Sequence, residues 1–360
     1  MSFYWHSDSL LHDPPHEILS GRLVTYLESP DRVKAIEGAL EQSDAFEVIA
    51  AENDWPEDIK DYILAVHSKE YVEYLENIYS EWTAIGGDKS AVFPETFQHR
   101  SMQSFGSRNT NSMSPLAKPG VYCFDLSCPI TSHTYRAAIA SVRITLSAAR
   151  YLATARNGSP HFGVFALARP PGHHTQDALC GGYCFLNNAA IAAKYLLQHH
   201  GSKCIAILDI DYHHGNGTQQ IFYHNPQVLY VSLHADGDYP YFTGSSEERG
   251  SGPGLGYNHN LPLPRQRTTD DLYCDTLRKA AEIIQDHAEV DYLVVSLGVD
   301  TYSEDPICDF LLTQACYPRV GEIVKSIEKP TLFVMEGGYH METLGENVRG
   351  VLLGFEGRRT

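Results

Sequence analysis

The apolar run Cys204-Ile205-Ala206-Ile207-Leu208-Asp209-Ile210 passes directly into the polar stretch Asp211-Tyr212-His213-His214-Gly215-Asn216-Gly217. Strands that are covered by helices on both faces have such nearly continuous apolar sequences. Four other runs have the same character, at 162–168, 228–233, 292–297 and 331–335. We therefore predict five buried strands of a parallel sheet.

Longer segments with helical periodicity separate these runs, which is typical of βα units on a parallel sheet. The predicted helices span 133–155, 186–200, 270–287, 310–327 and 342–355. No internal repeat or charge run divides the chain. The sequence thus predicts a single α/β domain over residues 1–360, with an open, mainly parallel central sheet flanked by helices.

The amino-acid composition limits the classes of molecule that the protein is expected to bind. The 360 residues contain 27 Lys and Arg against 45 Asp and Glu, a net charge of −18, which disfavours nucleic acid and favours a cationic ligand. No apolar run approaches the roughly 20 residues of a membrane helix. Residues 1–6 lack the basic and apolar regions of a secretory signal, so we expect a cytoplasmic protein. The eight cysteines include no C-x-x-C pair and fit neither a disulfide framework nor a zinc ribbon.

The segment 82–120 is unusually polar, with Gly, Ser, Asn, Gln, Arg, Thr and Pro prominent. Loops of this length are uncommon in compact domains and usually have a function. We expect an inserted lid or an arm for oligomer formation, and an ordinary surface loop is the alternative.

Polar residues follow each predicted strand. In an open parallel sheet, the loops after the carboxyl ends of the strands converge on one edge, where ligands bind. We therefore expect one site at that edge, formed by segments 169–174, 211–217, 234–238, 298–300 and 336–339.

One set of these residues has the composition of a metal site. Asp209, Asp211 and His213 alternate along the end of a strand, so their side chains point to the same side. Asp211 and His213, joined by Asp300 from another strand, would leave a coordination position open, as catalytic zinc requires. For the Asp-x-His pair alone, a hydrogen-bonded turn is the alternative.

A second set suggests acid–base chemistry. The stiff turn Pro170-Pro171-Gly172 presents His173 and His174 together. Adjacent imidazoles can act as general base and general acid if their neighbours separate their proton affinities, and Asp209 is a candidate partner. Tyr339 follows two glycines and could donate its hydroxyl to an oxyanion. Exposed loop histidines and an ordinary turn tyrosine are the alternatives.

In combination, five motifs resemble the class II histone deacetylase family, in particular its bacterial acetylpolyamine amidohydrolase branch. The motifs are Arg169 to His174, Gly181 to Asn188, Leu208 to Gln219, Ser296 to Asp300 and Met335 to Tyr339. The resemblance covers nearly the whole chain. It implies the arginase–deacetylase fold, with an open, mainly parallel sheet of about eight strands.

The resemblance also implies roles for individual residues. One Zn²⁺ per chain would be bound by Asp211, His213 and Asp300. The implied catalytic residues are His173 paired with Asp209, His174 facing Asn216, and Tyr339. A structural K⁺ would be bound by Asp209, Asp211, His213, Ser232 and Leu233. The walls of a narrow substrate tunnel would include Gly182, Tyr183 and Phe242.

The implied substrate is a small cationic acetylated amine, hydrolysed to acetate and free amine. Glu17 matches the place where this branch has an acidic residue for the distal ammonium of a polyamine. A second acidic residue of the branch falls near Leu116 here, a departure that leaves room for other amides. The polar segment 82–120 corresponds to the insertion that forms a dimer in this branch, so we expect a homodimer.

Three alternatives stay open at this point. A protein or peptide deacetylase that acts on acetyl-lysine would use the same motifs. An arginase-like binuclear manganese hydrolase would need a second Asp-x-Asp pair, which Asp300-Thr301-Tyr302 does not supply. A catalytically silent protein that binds acetylated amines would need neither the histidine pair nor Tyr339.

Overall fold

The predicted strands lie side by side in one sheet. The structure is a computed structural model that describes residues 1–51, 58–99, 101, 112–155 and 161–358. Its strands are β1 (Ser2–Trp5), β2 (His16–Leu19), β3 (Arg22–Thr25), β4 (Glu47–Ala50), β5 (Gly163–Ala166), β6 (Cys204–Asp209), β7 (Val228–Ala235), β8 (Asn258–Leu263), β9 (Val290–Leu297) and β10 (Thr331–Met335). Eight of them form a sheet in the order β4-β1-β5-β10-β9-β6-β7-β8, with every neighbouring pair parallel. Strands β2 and β3 form a separate antiparallel hairpin.

The five predicted strands are confirmed, and all five are interior strands of the sheet. The sequence analysis missed β1, β4 and β8. Strands β4 and β8 form the two edges of the sheet, and each has a neighbouring strand on one side only. Polar residues and proline are tolerated in such strands, and β8 contains two asparagines and a proline. Strand β1 is an interior strand, but only its two central residues are fully buried, so its apolar run is shorter than the run 162–168 that revealed β5.

Helices cover both faces of the sheet. They are α1 (Asp31–Glu41), α2 (Ile59–Leu64), α3 (Lys69–Ala84), α4 (Pro119–Tyr122), α5 (Thr134–Ala155), α6 (Asn188–His199), α7 (Asn216–Phe222), α8 (Asp270–Asp286), α9 (Cys316–Ser326) and α10 (Leu344–Glu356). The five predicted helices are present as α5, α6, α8, α9 and α10. The start of α9 was predicted too early: Leu312 pairs with Tyr302 as extended chain, and Asp270 accepts the Thr313 N–H, so the helix begins after these contacts.

Two apolar clusters fill the space between the helices and the sheet. Along β6, Ile205 and Ile207 belong to the cluster on one face, and Ala206 and Leu208 belong to the cluster on the other. The alternation follows from the period of two along a strand. Because both faces are buried, the interior strands are apolar at nearly every position, which explains why the sequence revealed them.

Only the two ends of the polar segment 82–120 are described. Residues 100 and 102–111 lie outside the described residues, so the predicted lid or arm stays a prediction. At the ends, Val92 pairs with Ile130, and the Gln98 N–H donates to the Gly120 carbonyl oxygen over 2.9 Å. These contacts fix where the segment leaves the domain and where it returns.

No helix in the described ranges has both the length and the apolar character needed to cross a bilayer. All eight cysteines are free; seven are buried and Cys308 is half-buried, as expected of small apolar side chains.

Candidate active site

A cavity of about 460 Å³ lies at the carboxyl edge of the sheet. The loops after β5, β6, β7, β9 and β10 reach it, because parallel strands all end on the same side. Its lining includes the predicted residues His173, His174, Gly182, Tyr183, Asp211, His213 and Tyr339. The structure therefore brings together most of the residues that the sequence predicted to form one site.

Asp211, His213 and Asp300 converge next to this cavity. His213 Nδ1 lies 3.1 Å from Asp300 Oδ2 and 3.4 Å from Asp211 Oδ1. A Cβ atom on Gly337 would lie 2.6 Å from Oδ2 of both carboxylates, so both carboxylates face the space beside this glycine. Burial, together with the charge of Asp211, raises the pKa of Asp300 to about 6. Two buried carboxylates and one imidazole nitrogen are ligand types that catalytic Zn²⁺ takes, and its charge would offset their repulsion. A Cys308 ligand atom also lies within 4.8 Å of those of His213 and Asp300.

His173 is held by a buried carboxylate. Its Nδ1 lies 3.1 Å from Asp209 Oδ2, which also accepts the Tyr230 hydroxyl over 3.0 Å. Burial opposes the charged form of His173, but the carboxylates of Asp211 and Asp209 outweigh it and raise its pKa to about 10. His173 is therefore suited to keep a proton at neutral pH.

His174 has a neutral partner instead. Its Nδ1 lies 2.8 Å from Asn216 Oδ1, an acceptor that orients the ring without adding charge. Burial lowers the pKa of His174 well below its ordinary value, and the positive charges of His173 and His213 add to the effect. Environments that separate two neighbouring histidines in this way favour a base and an acid in one site.

Tyr339 lines the cavity on the side of β10. Burial raises the pKa of its hydroxyl well above the usual range, so the group keeps its proton and can donate a hydrogen bond. Its backbone N–H donates to Asp305 Oδ2 over 2.8 Å, and its ring centroid lies 5.5 Å from that of Tyr183. A protonated hydroxyl fixed at the cavity wall fits the role of an oxyanion donor.

The sequence analysis missed two supporting residues, Arg32 and Glu28, which lie far from the site in the chain. Arg32 donates to the carbonyl oxygens of Gly338 (2.7 Å) and Glu336 (2.5 Å), and its guanidinium lies 4.9 Å from the ring centroid of Tyr339. Glu28 accepts from Arg32 and from Arg169, so it joins the loops after β10 and β5. The sequence contains one signal for Arg32, because it is a charged residue on the otherwise apolar face of α1.

Glu336 was quoted within a motif, but the sequence analysis gave it no role. Its Oε2 accepts the backbone N–H groups of Gly172 (2.7 Å) and His173 (3.2 Å), and its Oε1 accepts the Ser296 hydroxyl (3.1 Å). Burial raises the pKa of Glu336 to about 7. This side chain fixes the backbone that carries the two histidines.

Besides Tyr339, three tyrosines line the cavity, namely Tyr183, Tyr239 and Tyr241, and the predicted wall residue Phe242 does not. Tyr183 lies where the sequence predicted, next to Gly182, whose Cβ would clash with the His174 ring if the residue had one. Phe242 is 92% exposed and lies outside the cavity lining. Tyr239 forms part of the wall, and its ring packs edge-on against His174 at 5.0 Å between centroids; Tyr241 also lines the cavity.

Glu17 lies in the β2–β3 hairpin, behind Tyr183 and fully buried. Its Oε1 accepts the Leu27 N–H over 2.9 Å, and its carboxyl also contacts the Tyr183 hydroxyl. Burial raises its pKa. Leu116, at the position of the missing second acid, is 43% exposed.

The residues predicted to bind K⁺ lie on neighbouring strands. Asp209 of β6 is paired in register with Ser232 of β7, and Leu233 follows it, all three fully buried. The Ser232 hydroxyl lies 2.8 Å from His234 Nδ1. The K⁺ site itself stays a prediction.

The chain is similar to proteins of known classification. A family model described as "Histone deacetylase domain" matches residues 26–355. Acetylpolyamine amidohydrolase 1 of Pseudomonas aeruginosa is 42% identical over 353 residues, which cover 97% of each chain, and acetylpolyamine amidohydrolase 2 of the same organism is 41% identical with the same coverage. A crystal structure of acetylpolyamine aminohydrolase from Burkholderia pseudomallei superposes with a TM-score of 0.89 at 36% identity, covering 100% of both chains.

These likenesses extend over almost the full length of the chain and agree with its eight-stranded parallel sheet and with the histidine pair at the sheet edge. The chain therefore belongs to the histone deacetylase family of deacetylase enzymes.

Proposed function

We propose that this enzyme is a zinc-dependent amidohydrolase that removes the acetyl group from small cationic amines, in particular acetylpolyamines. The observation that carries the proposal is the convergence of His173, His174 and Tyr339 with the three-ligand set Asp211, His213 and Asp300 at one cavity. Relatives named acetylpolyamine amidohydrolases support the choice of substrate.

The metal would be held by Asp211, His213 and Asp300. When bound there, Zn²⁺ supplies Lewis-acid activation of the acetyl carbonyl and of a water molecule. The remaining requirements are proton transfer and stabilisation of negative charge on the acetyl oxygen, and the chain's own residues can meet both.

His174 is suited to accept a proton from the attacking water. Its Nδ1 is engaged by Asn216, which leaves Nε2 as the acceptor, and burial keeps the ring neutral. His173, whose charged form Asp209 stabilises, is suited to donate a proton to the departing amine. The Tyr339 hydroxyl can donate to the developing oxyanion.

Two features favour a cationic substrate. The net charge of −18 attracts cations in general. Glu17 lies buried behind the wall residue Tyr183, which its carboxyl contacts, so a distal ammonium group would reach it only if Tyr183 moves aside. A cation there would counteract the burial that raises the pKa of Glu17.

Metal analysis combined with acetate release would test the proposal. We expect about one zinc per chain, loss of acetate release on chelation, and recovery on adding Zn²⁺. Turnover of N-acetylputrescine should exceed that of an acetyl-lysine peptide. Higher kcat/KM for the peptide would favour the alternative, a protein or peptide deacetylase.

Three further expectations belong to the same proposal: a homodimer, a structural K⁺ and a cytoplasmic location. The dimer can be tested by light scattering on the full chain and on a variant that lacks residues 98–113. The full chain should be dimeric and the deletion variant monomeric. If both are monomeric, the polar segment is not an assembly element.

A further inference from the structure

Asp125 joins three loops that surround the cavity. Its Oδ1 accepts the Ser127 N–H (3.1 Å), and its Oδ2 accepts the Ser127 hydroxyl (2.6 Å), the Gly182 N–H (3.1 Å) and the Tyr239 hydroxyl (2.7 Å). Ser127, Gly182 and Tyr239 all line the cavity, and they belong to segments that are far apart in the chain. One carboxylate thus positions three parts of the wall.

All of these hydrogen-bond donors to Asp125 are uncharged. They stabilise the carboxylate but leave its negative charge uncompensated within the described residues. Besides burial, this charge raises the pKa of the Tyr239 hydroxyl, and at Tyr183 it adds to the larger effect of Glu17. The field of Asp125 therefore reaches both aromatic walls.

The Tyr239 ring transmits this effect to the cavity. It is half-buried, stacks on Phe124 at 6.2 Å between centroids, and lies edge-on to His174 and His213. A hydroxyl that donates to a carboxylate makes the attached ring richer in electrons, and the face of such a ring attracts cations. A phenylalanine at this position would form the same wall without the link to Asp125.

We propose that Asp125 is a specificity-determining residue, which makes the tunnel select cationic amides by positioning Tyr239, Gly182 and Ser127 and by placing an unpaired negative charge behind the wall. The inference rests on the proposed function and deepens it. It differs from the role expected of Glu17, because Asp125 acts through the wall and need not touch the ligand.

The test compares two substrates of equal shape. N-acetylputrescine carries a distal ammonium, and N-pentylacetamide has a methyl group in its place. We expect wild type to prefer the cation and Asp125→Asn to lower this preference about tenfold, mainly through a higher KM for the cation. Tyr239→Phe keeps the charge, so it should raise KM for both substrates and keep most of the preference.

Matched controls separate charge from structure. Asp286→Asn removes the same charge from an exposed position at the end of α8 and should leave the preference unchanged. Asp125→Glu retains the charge and should retain the preference even if its longer side chain lowers both rates. Equal losses for the two substrates in Asp125→Asn would overturn the inference, since they indicate a purely structural role.

Two outcomes need no folded Asp125→Asn variant. Equal kcat/KM of wild type for the cation and its neutral analogue would contradict the inference directly. If wild type hydrolyses neither amide, the proposed function fails instead. Equilibrium binding of both amides to Tyr339→Phe, with and without Asp125→Asn, would then decide the inference: a loss of cation preference supports it, and an unchanged preference overturns it.

Discussion

His173 and His174 are adjacent in sequence and their ring centroids lie 4.0 Å apart, yet their pKa values move in opposite directions. Both rings are buried, which disfavours the charged form of each. The difference lies in their partners, a carboxylate for His173 and an amide for His174. At the scale of the residue, two different partners therefore suit one residue type to the proposed acid and base roles.

Tyr339→Phe tests the assignment of the oxyanion donor. The substitution removes one hydroxyl and keeps the ring that packs against Tyr183, so we expect unchanged zinc content and a fall in kcat of at least about 100-fold. Steady-state acetate release and metal analysis measure both quantities. Tyr79→Phe, which removes an exposed hydroxyl bonded to the Lys89 carbonyl, is the control and should keep full activity. Equal turnover in Tyr339→Phe would refute the role.

At the scale of the element, the contact between α1 and α10 depends on a glycine. A Cβ on Gly345 would clash with the Ala35 carbonyl oxygen and lie 2.7 Å from the Ala39 Cβ. The absence of a side chain at Gly345 thus lets α10 approach α1, the helix that carries Arg32 to the site.

Two glycine substitutions at this helix pair should have opposite effects on stability. Gly345→Ala should lower the free energy of unfolding by about 1–3 kcal/mol, because the helices must separate. Gly38→Ala in α1 meets no atom within 4 Å and should raise it by about 0.5–1 kcal/mol, since alanine favours the helix. Urea denaturation of both variants checks the signs. Destabilisation by Gly38→Ala would contradict the packing described.

At the scale of the whole molecule, buried neutral histidines should make stability depend on pH. His67 is enclosed between the Gln176 carbonyl oxygen at Nδ1 and the Asn187 N–H at Nε2. Burial lowers its pKa to about 4, and burial also lowers the pKa of His12. The unfolded chain then binds more protons below about pH 6.5, so stability is lost as pH falls from about 6.5 towards 4.

His67→Gln isolates one contribution to this dependence. Wild type should lose about 2 kcal/mol more than the variant between pH 7.5 and pH 5, because glutamine does not titrate. Urea unfolding at the two pH values measures the difference. His133→Gln, at an exposed position, should keep the wild-type loss. An identical loss in wild type and His67→Gln would show that His67 is not kept neutral by burial.

The sequence by itself determined five of the six interior strands of the sheet and most of the residues at the cavity. Strands covered on both faces must be apolar throughout, and the polar residues directly after them must lie at the shared carboxyl edge. Both rules concern residues that are neighbours in the sequence. The strand at 204–210 and the site residues Asp211 and His213 that follow it could therefore be predicted from the sequence. The edge strands β4 and β8 have no such constraint and were missed.

Only the tertiary structure decided which distant residues support the site. In the folded chain Tyr239 lines the cavity and Phe242 does not. Arg32 and Glu28 lie at the loop of Tyr339, and three loops meet at Asp125. It also separated the proton affinities of His173 and His174. Packing between segments far apart in the chain controls burial and partners, and a linear pattern of residue types does not contain that information.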